Sequence, residues 1–124
     1  MKHPERLWIG AAMLALASRG DDRGRSAAMS TGGDPDRGRA AIGRLGRGSC
    51  HAIPGVRGAD ALVGPSLDRI ASRTYIAGVA VNTPENMLRW LRDPPGVDPL
   101  TAMPNLHLTE PDARDIAGFL ATLR

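Results

Sequence analysis

The chain holds a single cysteine, Cys50, so no internal disulfide can staple its fold. Other stabilising resources are thin as well. Aromatic residues make up 3% of the 124 positions (Trp8, Tyr75, Trp90 and Phe119), while 15 Gly and 10 Pro make irregular backbone plentiful. A chain this short, with few bulky side chains, has difficulty burying enough apolar surface to offset the cost of ordering it. Such chains usually lean on disulfides, a metal or a cofactor. With the first closed, a bound cofactor with a large apolar body is the natural remedy.

The length suits one domain and no more. The formal charge is +3, but from residue 34 onward eleven Arg face ten Asp or Glu, so that region is nearly neutral. No cluster of Lys and Arg with interleaved aromatics is present, which argues against nucleic acid as a partner.

Residues 1–18 read as a signal-peptide-like segment. Lys2 and Arg6 precede an apolar run from Leu7 to Ala17, and Ala15-Leu16-Ala17 gives the small-x-small pattern of a cleavage site. Eleven apolar residues are too few to span a bilayer securely. The segment therefore predicts export, with membrane association only through a partner or an uncleaved N-terminus. Residues 19–33, rich in Gly, Ser, Asp and Arg without apolar periodicity, read as a flexible linker.

From residue 34 to 124 the pattern is that of a helical domain. Asp34-Pro35-Asp36 offers an N-cap, a first-turn Pro and an acidic residue, and predicts a helix over 35–47. A short helix is expected around Ser66–Ser72. Thr83-Pro84-Glu85 starts another that ends at Asp93-Pro94-Pro95, with Met87, Leu88, Trp90 and Leu91 on its apolar side. Residues 96–108 form a Pro-interrupted loop, and Thr109-Glu110-Pro111-Asp112 caps a last helix carrying Ile116, Phe119, Leu120 and Leu123. No stretch alternates with period two. The expected class is all-α, with three to four main helices.

Cys50-His51 is the second half of the haem-attachment pattern C-x-x-C-H, and Arg47 stands where the first Cys would be. Downstream come Gly64-Pro65-Ser66-Leu67, Pro94, and Met103-Pro104-Asn105-Leu106. In this order the chain resembles the class I mono-haem cytochrome c domains of bacteria, over about residues 34–124. The resemblance implies a cytochrome c fold, with helices and loops wrapped around one haem c. It makes His51 the proximal and Met103 the distal iron ligand, with the Pro65 carbonyl accepting from His51. Cys50 would supply a single thioether, since Arg47 cannot form the other. It also implies Arg73 and Tyr75 near a propionate, Trp90 packed on the haem, and Gly38 with Phe119 where the first and last helices cross.

Each residue also has a plainer reading. Cys50 fits an ordinary small buried residue, and Met87 and Met103 fit core gap-fillers. His107 fits a loop histidine, though it could also rival Met103 as a ligand. Arg73 and Tyr75 fit solvated positions. The expected function is electron transfer between redox partners such as a terminal oxidase or another respiratory complex, in the bacterial periplasm. With both axial positions filled by protein the chain is not expected to be an enzyme. The alternatives are a haem sensor or peroxidase-like protein with a labile Met103, or a cytochrome-like interaction module without haem.

Overall fold

The structure, a computed structural model, describes the backbone of residues 6–124 and the side chains of residues 19–46 and 48–124. The signal-like character of residues 1–18 rests on side chains outside that description, as does the fate of the Arg47 side chain. Among the described residues no helix is long and apolar enough to cross a membrane.

The first helix, α1, spans Arg6–Thr31. It runs through most of the segment read as a flexible linker, which is thereby corrected. Ala27 (4% exposed) and Thr31 (7%) lie one helical turn apart and pack on one face. The Thr31 carbonyl accepts a bond from Arg114 Nη1 at 3.2 Å. Tertiary contact thus holds as helix a stretch whose composition alone favours a loop. Gly32 (φ 69°) then ends it.

Helix α2 spans Pro35–Arg44, opened by Asp34, whose side chain accepts the Arg37 N–H at 2.9 Å. It stops three residues earlier than expected because Gly46 turns left-handed (φ 69°), and a 3₁₀ turn at Arg47–Ser49 follows. Helix α3 spans Pro84–Arg92, capped by Thr83, and buries Met87, Trp90 and Leu91. Asp93 ends α3 and caps a single turn, α4, at Pro94–Val97. The last helix, α5, spans Glu110–Leu120 behind the Thr109 cap. It is the central element, buried along Ala113 and Asp115–Leu120.

Two loop features differ from expectation. The short helix expected at Ser66–Ser72 is reduced to a 3₁₀ turn at Ile70–Ser72, because Arg69 is left-handed (φ 56°) and breaks any continuous helix. Beyond it lies a small antiparallel ribbon that no alternation announces: β1 (Tyr75–Ile76) pairs with β2 (Ala80–Val81). Its turn places Ala77 (φ 51°) and Gly78 (φ 75°) consecutively in left-handed conformation, the geometry that matches strand twist. Ile76, 2% exposed, carries the ribbon into the core.

The helices meet on α5 through backbone rather than side chains. A Cβ on Gly33 would overlap the Arg114 backbone, and one on Gly38 would overlap that of Asp115. The atoms nearest Gly38 on α5 are the backbone of Asp115 and Ile116, while the Phe119 ring edge lies 3.7 Å from where a Cβ on Gly55 would stand. Asp115 bolts the crossing. Its carboxylate, 12% exposed, accepts from Asp34 N (2.7 Å), Arg37 Nε (3.0 Å) and Arg37 Nη2 (3.2 Å). The Arg37 hydrogen bonds, followed by the Asp34 N–H and the guanidinium charge, hold the Asp115 carboxyl below its ordinary value against the opposing effect of burial.

A carboxylate with a lowered native pKa stabilises the fold above its unfolded value, about 4, and the benefit is lost as pH falls below that. Asp115→Asn is expected to cost about 1–3 kcal/mol near neutral pH and to flatten the acid limb of a pH–stability curve below about pH 4. Gly38→Ala is expected to cost about 1–3 kcal/mol or more, since two backbones would have to separate. Denaturant midpoints measured from neutral to acid pH check both.

Candidate functional site

Helix α2 delivers the chain through Arg47–Ser49 to Cys50 and His51, which border a cavity of about 570 Å³. Its walls are largely apolar: Ile42 from α2, Ile53, Leu67 and Ile70 from the loops, Met87, Trp90 and Leu91 from α3, and Ile116 and Leu120 from α5. The volume lies within the range of small-molecule and cofactor sites.

His51 is tightly placed. Its Nδ1 lies 2.7 Å from the Pro65 carbonyl oxygen, so Nδ1 carries the proton and donates it. In the neutral ring, that tautomer has its lone pair on Nε2. The two segments are tied again by the Gly64 N–H, which donates to the Cys50 carbonyl at 2.6 Å. Gly64 is required here: a Cβ on it would stand 2.7 Å from His51 Nδ1 and 3.1 Å from Nε2. The ring and the backbone of Gly64 are in van der Waals contact.

Met103 reaches the same cavity from the strap between α4 and α5, its N–H held by Thr101 Oγ1 at 3.1 Å. Cys50, half-buried and free, lies on the wall beside His51. Trp90 (7% exposed) lines the cavity from α3. Arg73 lines it too, with Nη2 donating to the carbonyls of Ser66 (2.6 Å) and Asp68 (2.8 Å). Its guanidinium therefore staples the loop after Pro65 as well as bordering the site.

Tyr75 is not brought there. It is 55% exposed on β1 and absent from the cavity wall, because the ribbon turns Ile76 inward and strand residues alternate. His107 is also elsewhere, on the opposite side of the strap from Met103. Met87, read as core packing, is buried and also lines the cavity. The loop residues Ile53, Leu67 and Ile70 were missed as wall residues. The available signal was isolated aliphatic side chains in a Gly- and Pro-rich stretch.

Among the described residues no group of three or more His, Cys, Asp or Glu is arranged to hold a metal ion. The cavity instead brings one imidazole nitrogen and one thioether to apolar walls. Two such donors suit a metal that arrives with its own remaining ligands in a flat apolar frame. The residues present thus fit a haem. Apolar walls would meet its faces, His51 is held by the Pro65 carbonyl, and Gly64 keeps the imidazole's flank clear.

No family model matches the chain, and no solved structure does. Over 79 residues the chain is 34% identical to cytochrome c oxidase subunit 2 of Bacillus sp. (strain PS3). Over 76 residues it is 32% identical to cytochrome c oxidase subunit 2 of Alkalihalophilus pseudofirmus (strain ATCC BAA-2126 / JCM 17055 / OF4). Each match takes in 60% of this chain but only 22% and 21% of the relative, so the chain spans about a fifth of the length of these curated relatives. These relatives are named as oxidase subunits rather than as class I cytochromes c, and the similarity is to an electron-transfer context at that coarser level.

Gly64→Ala is expected to displace the His51 ring and cost about 1–3 kcal/mol. Loss of the protected Nδ1–H signal of His51 by NMR, with a lowered melting temperature, checks it.

Proposed function

We propose that the chain is an exported haem-binding electron carrier with a cytochrome c-type arrangement. In this reading His51 Nε2 and Met103 Sδ are the iron ligands and Cys50 is the single covalent anchor. One observation carries this reading: an imidazole fixed by the Pro65 carbonyl and a thioether share one apolar cavity. The similarity to cytochrome c oxidase subunit 2 supports the electron-transfer part. Haem, when bound, supplies a one-electron Fe(III)/Fe(II) couple.

The chain's own residues do the rest. The Pro65 carbonyl, by accepting from Nδ1, fixes the imidazole and raises its basicity toward a metal. Met103 offers a soft sulfur that favours the reduced metal and raises the potential relative to a second imidazole. With His51 and Met103 both holding the iron, no position would be left open for oxygen or substrate, which would favour electron passage over bond-making. Apolar walls from α2, α3 and α5 exclude water. Arg73, on the wall, offers a donor to an acidic edge group. Cys50 would hold the haem by one bond only, since the residue three positions earlier is Arg47. The partner in this reading is a terminal oxidase or another respiratory complex, met in the periplasm.

Co-expression with haem-maturation factors, followed by denaturation and a pyridine haemochrome spectrum, tests the reading. Haem retained through denaturation is expected, with an α-band displaced from that of a two-thioether control. Cys50→Ser should release the haem on denaturation yet leave it bound in the folded protein. No Soret band in the folded wild-type chain would reject haem altogether. Carbon monoxide binding to the reduced form would replace the carrier by a sensor or peroxidase-like protein.

A further inference from the structure

The strap between α4 and α5 has two sides. Met103, Pro104 and Leu106 line the cavity already described, whereas Asn105, His107 and Leu108 line a second, more open one of about 560 Å³. The opposite wall of this second cavity is the end of α3, with Leu88, Arg89 and Arg92, continued by Asp93, Gly96 and Val97.

Charge is unevenly placed around it. Arg89 and Arg92 stand three residues apart on α3, so both guanidinium groups border one groove. Arg92 has a loose partner, Glu110, at 3.9 Å with both side chains about half-exposed. Among the described residues Arg89 pairs with no carboxylate. Among the described residues the one carboxylate in the lining is Asp93, whose Oδ1 accepts from Gly96 N–H (3.2 Å) and Asn105 Nδ2 (3.4 Å). Asn105 Oδ1 in turn accepts the His107 N–H at 2.7 Å. The Asp93–Asn105 bond ties the strap to the end of α3, and His107, at φ 51°, lines the groove. Beneath lie Leu88, Val97 and the buried Leu108.

We infer that this outer groove binds a small oxyanion, a phosphate or a short organic carboxylate. Two planar guanidinium groups offer forked N–H pairs that match either head group, and the His107 ring offers a further N–H. The aliphatic floor would take the tail of a carboxylate but gives nothing to free phosphate. The site lies across the strap from the inner cavity and draws on none of its walls, so it stands whether or not haem is bound.

The test follows the His107 ring signals by NMR in the full chain, assigned with His107→Gln. Sodium phosphate is titrated in one series and sodium butyrate in another, with ionic strength held constant by sodium chloride. A saturable shift with either anion, absent with chloride alone, is expected. Arg89→Gln and Arg92→Gln should each weaken binding by about fivefold to tenfold. Tighter binding of butyrate than phosphate would assign the site to an organic carboxylate, and the reverse order to free phosphate. A shift that never saturates, or variants that bind as tightly as the parent, would overturn the site. None of these outcomes bears on haem, so failure here is separable from failure of the electron-carrier reading.

Discussion

The close approach of backbone to backbone on α5 is the constraint on which the remaining structure depends. Gly33 and Gly38 allow it, since side chains there would overlap Arg114 and Asp115. Asp115 then fixes its direction by accepting from both the first N–H and the Arg37 side chain at the start of α2. With that end pinned, α2 points Leu45, Gly46 and the following turn at the cavity. Cys50 and His51 arrive at its wall as a consequence. An acidic residue that is nearly buried and triply hydrogen-bonded is costly to ionise unless its partners are in place. The same arrangement therefore both stabilises the crossing and penalises alternatives to it.

The cavity and the hydrophobic core are one feature in this chain. Ile42, Ile76, Trp90, Leu91, Ile116 and Leu120 are buried core residues and also line the site. That follows from composition. With four aromatic residues and no internal disulfide, the helices have too little bulk to close on themselves. An apolar ligand between them would remove wall area from water at roughly 25 cal/mol per Å². Folding and ligand binding are then coupled, because whatever binds the native cavity stabilises the native state.

Where the sequence was most legible, short-range chemistry decides the conformation. Asp34, Thr83 and Thr109 each sit before a proline-bearing first turn, and each side chain caps its helix in the structure. The pairing of His51 with the Pro65 carbonyl came from the family resemblance and coincides with a 2.7 Å contact. Long-range terms produced the differences. Residues 19–31 lack the periodicity of a helix but dock through Ala27 and Thr31, chiefly against α5. The ribbon at Tyr75–Val81 turns through a left-handed alanine, Ala77, where sequence rules look for Gly, Asn or Asp. That unseen ribbon is also why Tyr75 faces outward. The two sides of the strap, Met103 against His107, depend on loop geometry that spacing alone does not encode.

The proposed role rests on two donors from distant parts of the chain meeting at one metal. Extended X-ray absorption at the iron edge of the haem-loaded protein reads those donors directly. One sulfur neighbour among otherwise light atoms, lost in Met103→Ala, is the result expected if His51 and Met103 hold the iron across this cavity. An all-light-atom shell in the wild-type protein, unaltered by that substitution, would contradict it.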